Sequence, residues 1–95
     1  MTIRSIFKYP LMCAESQAIM IPKNAQILCV QLQDSQPCLW ALTDDSPKIE
    51  RRFMIAGTGH VIDIPQGQSI HFIDTVQMIG GQVVWHVFEV SDALV

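Results

Sequence analysis

The chain has 95 residues, with 6 lysines and arginines against 9 aspartates and glutamates, a formal net charge of −3, and 49% apolar but only 16% charged residues. That length holds one domain, residues 1–95, and so apolar and weakly charged a chain is not a disordered tail. With Arg51-Arg52 as its only adjacent basic pair, it lacks the clustered positive charge that grips duplex nucleic acid.

From the N-terminus, Met1 to Lys8 offers charge without an apolar stretch behind it, so no signal peptide is expected. The spacing of Pro10, Pro22, Pro37, Pro47, Gly57/Gly59, Pro65-Gln-Gly67 and Gly80-Gly81, with Ile-, Val-, Phe- and Trp-rich runs between, predicts strands over 3–9, 17–21, 25–33, 38–43, 50–57, 69–79 and 82–90. Residues 11–18 are the one place where a helical turn fits. The fold class is all-β: a small antiparallel β-sandwich or roll of about seven short strands.

The third and fourth strands read as apolar on both sides. Ile27 and Cys29 oppose Leu28, Val30 and Leu32; Cys38, Trp40 and Leu42 oppose Leu39 and Ala41. In the last hairpin, Gly80-Gly81 suits a two-residue turn whose central positions both need positive φ. Pairing about it sets Gln77 opposite Val84, Thr75 opposite His86, Ile73 opposite Phe88 and His71 opposite Val90. Phe72, Asp74, Val76 and Met78 then share the other face with Val83, Trp85, Val87 and Glu89. A half-solvated antiparallel sheet would alternate apolar and polar positions. Apolar character on both faces needs a second cover, and a second copy of the chain is the simplest one.

The longest uncharged run, Thr75 to Phe88, is broken by Gln77, Gly80, Gly81 and Gln82 and falls short of the ~20 apolar residues of a membrane helix. The three cysteines, Cys13, Cys29 and Cys38, are odd in number and lack a C-x-x-C pair, which fits reduced thiols and a cytoplasmic setting.

Gly57-Thr58-Gly59-His60 is the most suggestive cluster. Its glycines could converge backbone N–H groups on an anion, with Thr58 and His60 as donors and Arg51 or Arg52 as the cation. It is neither a Walker loop nor a dinucleotide fingerprint. In the predicted register His71 and His86 stand about 13 Å apart, too far to share an ion, so no metal and no other cofactor is expected. Cys29 and Cys38 sit in apolar strands, like inert core thiols, and no nucleophile–base pair emerges. Asp74 lies among apolar neighbours and must find a cation or hydrogen-bond donors. Trp40 and Trp85 pack in the core or, facing outward, anchor a partner; Trp40, Trp85, His86 and Asp74 form the expected interface set.

The segments Lys8-Tyr-Pro-Leu11, Ile21-Pro-Lys-Asn-Ala-Gln-Ile-Leu28, Pro37-Cys-Leu-Trp-Ala-Leu42, Gly57-Thr-Gly-His60 and His86-Val-Phe-Glu89 resemble a family of short proteins. They are encoded by bacteriophages, prophages and bacteria, and are classed as a domain of unknown function. The likeness runs through nearly the whole chain; Asp74 departs from it, standing where a small residue is usual. The resemblance implies a phage-type accessory protein in the cytoplasm of a bacterial host. The resulting expectation is a non-enzymatic, homo-oligomeric interaction module acting on a host protein, for instance as a host-defence or CRISPR antagonist. A small anionic-ligand or signalling-nucleotide binder using Gly57–His60, and a minor virion component, are the alternatives.

Overall fold

A computed structural model describes residues 2–92. Among them are seven strands: β1 Ser5–Pro10, β2 Ser16–Pro22, β3 Gln26–Gln33, β4 Gln36–Thr43, β5 Lys48–Gly57, β6 Gln68–Met78 and β7 Val83–Asp92. Each expected strand is present, displaced by a few residues at most. The segment allowed a helical turn is a bend instead, closed by Ala14 N–H on the Met12 carbonyl, and β2 starts at Ser16.

All pairing is antiparallel. One sheet has the order β1-β4-β3, the other β2-β5-β7-β6. Their facing sides bury Val30, Leu39 and Ala41 from the first sheet against Ile21, Phe53, Ile55, Val76 and Val87 from the second, closed by Leu11 and Ala25 from the connections. Trp85, Tyr9, Ile19, Ile27 and Ile73 pack around this core. Arg51 points inward too. Its Nε and Nη2 donate to the Glu89 carboxylate at 2.7 and 2.8 Å, and Nη1 donates to the Ala25 carbonyl at 2.6 Å. One guanidinium therefore ties β5, β7 and the β2–β3 connection.

Two β-bulges, each a one-residue insertion that re-aims the strand, alter the expected facing. In β3 the register slips between Ile27 and Cys29. Ile27 joins Val30 and Leu32 on the inner side and Cys29 moves outward, instead of Ile27 and Cys29 sharing a face. In β6 the register slips between Phe72 and Asp74. The expected pairs hold from Met78 to Asp74; beyond it Phe72, not Ile73, opposes Phe88, and Glu89, not Val90, opposes His71. Phe72 is thereby turned onto the outer face, edge-on to Phe88 with ring centroids 5.6 Å apart. At the hairpin tip, Gly80 (φ 59°) and Gly81 (φ 87°) hold the expected left-handed pair, but Ile79 (φ 52°) joins them and the strands stop at Met78 and Val83, so the connection has four residues instead of the expected two.

The two bulged strands are the edges where the sheets meet. There the Asp74 carboxylate accepts the Val30 N–H across the gap at 3.2 Å and the Thr75 N–H at 2.9 Å. The result is a flat slab, 45 × 38 × 16 Å, with a radius of gyration of 14.0 Å, against about 12.4 Å for a compact chain of this length.

Candidate functional site

The candidate site lies on the outer face of the larger sheet, where β5 runs out into the segment 58–67. Gly57 to His60 form a tight turn, the His60 N–H donating to the Gly57 carbonyl at 3.1 Å. Gly59 has φ +85° while Thr58 does not enter the left-handed region, as a type II turn requires at its third position. A turn of this type spends the His60 N–H internally and does not line up successive N–H groups as an anion nest does.

The turn is latched to the sheet through one imidazole. His86 stands between Ala56 and Thr75 on the outer face. Its Nε2 meets the Thr58 hydroxyl at 2.7 Å and its Nδ1 meets the Thr75 hydroxyl at 2.9 Å. A hydroxyl can donate or accept by rotating, so both ring nitrogens stay satisfied in either tautomer. His60 folds back over the turn, so close that a Cβ on Gly57 would lie 2.8 Å from its ring. The positive φ explains glycine at 59, whereas at 57 an added side chain would have to push aside only the exposed His60 ring.

Other residues named from the sequence are dispersed. Arg51 faces the interior and is consumed by Glu89 and Ala25. Arg52 is on the outer face but pairs with Asp92 at 2.9 Å. It lies five residues from Gly57 along β5, roughly 16 Å at ~3.3 Å per residue. The hollow beside His60 is lined by Met54 and by Glu15 and Asp63, two carboxylates that repel rather than attract an anion. A larger groove of about 510 Å³ lies between the 63–65 segment and the sheet, floored by Ala18, Met54, Ile70 and Val90 with Arg52 at its margin.

The expected interface set falls on separate surfaces. Trp40 is on the outer face of the smaller sheet, Trp85 packs against the core, His86 is in the latch and Asp74 bridges the sheet edges. Among the described residues there is no group of three metal-ligating side chains, and no helix long and apolar enough to cross a membrane. Cys13 is exposed, Cys38 is buried, and Cys29 is half-buried on the outer face. Burial, and secondarily the Asp74 carboxylate, pushes the Cys29 thiol above its ordinary pKa.

The family described as a domain of unknown function (DUF7352) matches residues 2–94. The chain belongs to this family. No curated protein and no solved structure matches it. Within this DUF7352 chain, the sequence reading named Thr58 and His86 for different roles and missed that they form one unit with Thr75. The available signal was the expected Thr75–His86 pairing, which also put both side chains on one face; the return of the 57–60 turn onto that face lies in the tertiary structure. Of the exposed apolar residues on the outer faces, Leu28 belongs to a strand already expected to be apolar on both sides and Phe72 was expected on the opposite face, whereas Ile6 and Met20 were not singled out.

Proposed function

We propose that this domain is a non-enzymatic interaction module that works as a homo-oligomer. The observation that carries the proposal is surface. The chain exposes 6531 Å², against roughly 5,500 Å² for a folded monomer of its 10.7 kDa mass. Large apolar side chains stand exposed on both sheets: Ile6 and Leu28 on one, Met20 and Phe72 on the other. Exposed apolar side chains that gather in a patch mark association sites. The polar groups support the same reading, because Arg51–Glu89, Arg52–Asp92, Asp74 with Val30, and His86 between its threonines are engaged within the fold. Glu15 and Asp63 beside His60 favour this reading over an anion binder.

We extend the proposal to the role that the resemblance to phage and bacterial proteins implies: an accessory protein that occupies a bacterial host protein, with the Phe72–Phe88 face as its contact. Sedimentation equilibrium across the micromolar range tests self-association; a single species of monomer mass throughout would overturn it. Affinity capture from bacterial lysate, compared between the native chain and a folded Phe72→Glu variant, tests the host contact. One protein recovered by the first and lost by the second is expected, and equal recovery by both would overturn the assignment of that face.

A further inference from the structure

We infer that two copies pair through β1, edge to edge and antiparallel about a two-fold axis, joining two three-stranded sheets into one of six strands. The inference rests on the homo-oligomer proposed above and names its surface.

An open strand edge is a template for a further strand, and soluble proteins blunt it with charges, bulges, proline or a cover. The described residues treat their edges unequally. On one side of the slab β3 and β6 each carry a bulge and lie against each other, and Asp74 accepts the Val30 N–H. That side is closed. The two remaining edges are β2, which borders β5 alone but turns Ile19 and Ile21 into the core, and β1, which borders β4 alone, has a regular register from Ser5 to Pro10 and leaves apolar side chains exposed on both of its faces. Its one charged residue, Lys8, would ordinarily guard such an edge. Instead its ammonium bonds the Gln33 side chain of β3, so Lys8 reaches inward across β4 and leaves the edge uncovered. Proline occupies only the last position, Pro10.

The side chains suit a partner strand. Alternate residues of β1 and its approach are apolar on opposite faces, and they are exposed: Ile3 75%, Ile6 60% and Phe7 55%. An antiparallel strand pairing with its own copy is self-complementary, as a two-fold interface demands. It would extend the apolar outer face of Ile6, Trp40 and Leu42 across the axis and bring the two Phe7 side chains onto a common face.

The test uses the native full chain. Sedimentation equilibrium is expected to give a dimer, and Phe7→Glu, an exposed substitution, to raise its dissociation constant more than about thirtyfold with an unchanged circular dichroism spectrum. Phe72→Glu, on the other sheet, should leave the dimer intact. Independently, hydrogen exchange on the unmodified chain should show the amides of Ile6 and Lys8, the β1 N–H groups that face away from β4, gaining protection as concentration rises. This second measurement decides the matter if Phe7→Glu fails to fold. A native dimer that survives Phe7→Glu, with β1 exchange independent of concentration, overturns the edge pairing but leaves the oligomer standing. A native chain that remains monomeric overturns both.

Discussion

Asp74 is the residue whose removal says most about how the two sheets are held together. Its carboxylate is the hydrogen-bond acceptor for the N–H of Val30, a residue only 1% exposed. In Asp74→Ala that donor keeps no partner, and leaving a buried N–H unpaired costs about 1–3 kcal/mol. The Thr75 N–H, the second donor, lies at the exposed side and turns to water at little cost. The expected loss is therefore about 2 kcal/mol, or a drop in Tm of about 8–16 °C for a domain of this size. Asp74→Asn retains a neutral acceptor in place of a charge-assisted one and should lose about half as much. Guanidinium unfolding at fixed protein concentration measures the difference, holding constant any contribution from self-association. Exchange of the Val30 amide supplies the local readout: slow in the native chain, fast in Asp74→Ala. An alanine variant within about 0.5 kcal/mol of the native chain, with the Val30 amide still protected, would refute the reasoning.

The two arginines adjacent in sequence should behave oppositely. The Arg51–Glu89 pair is inward-facing, with side chains 15% and 21% exposed, so Glu89→Gln strands a cation and should cost about 3 kcal/mol; Asp92→Asn removes an exposed partner of Arg52 and should cost less than about 1 kcal/mol by the same unfolding assay. Gly59→Ala should cost about 1 kcal/mol through its positive φ although nothing crowds the new methyl. Gly57→Ala should instead displace the His60 ring, read as a shift of its imidazole proton resonances, while the exposed ring moves aside and stability changes little. Alkylation near pH 8 should label Cys13 well before Cys29, because the raised pKa of Cys29 leaves less thiolate. Asp74→Ala should speed the labelling of Cys29 by removing a neighbouring negative charge. The same shift sets a pH dependence: the folded state favours the protonated Cys29 thiol, so that contribution is whole below the thiol's unfolded pKa and is lost as alkaline pH carries it through the folded value. Asp44 has the opposite sign. The Ser46 hydroxyl, and next the Ser46 amide, hold its carboxyl below the usual range, so its contribution is present at neutral pH and is lost in acid; in Ser46→Ala its side-chain carboxyl resonance should titrate at higher pH.

Local chemistry made the strands legible. Proline and glycine punctuate the chain at intervals that only short strands fill, and Gly80-Gly81 fixes the last hairpin because two successive positive φ values select those residues. The register followed from that turn as far as Asp74 and failed one residue beyond it. The reason is that a bulge is an extra residue within an otherwise regular strand, and Phe72-Ile73-Asp74 alternates acceptably with or without it. The same ambiguity hid the outward turn of Cys29 after Leu28. Arg51 and Arg52 show the limit again: alternation requires them to face opposite ways, but which one enters the core depends on Glu89 and the Ala25 carbonyl, brought there by other strands.

By itself, then, the sequence determined the all-β class, the number and place of the strands, the turn of the final hairpin, and that apolar side chains would be left on outward faces. All of these depend on neighbours a few residues apart. The tertiary structure alone decided that Asp74 would serve a backbone N–H rather than a cation, that Thr58 would share His86 with Thr75, and that the β3–β6 edge would be closed while β1 stayed open. Each of these joins segments tens of residues apart, and the free energy of such a contact exists only once the sheets have met.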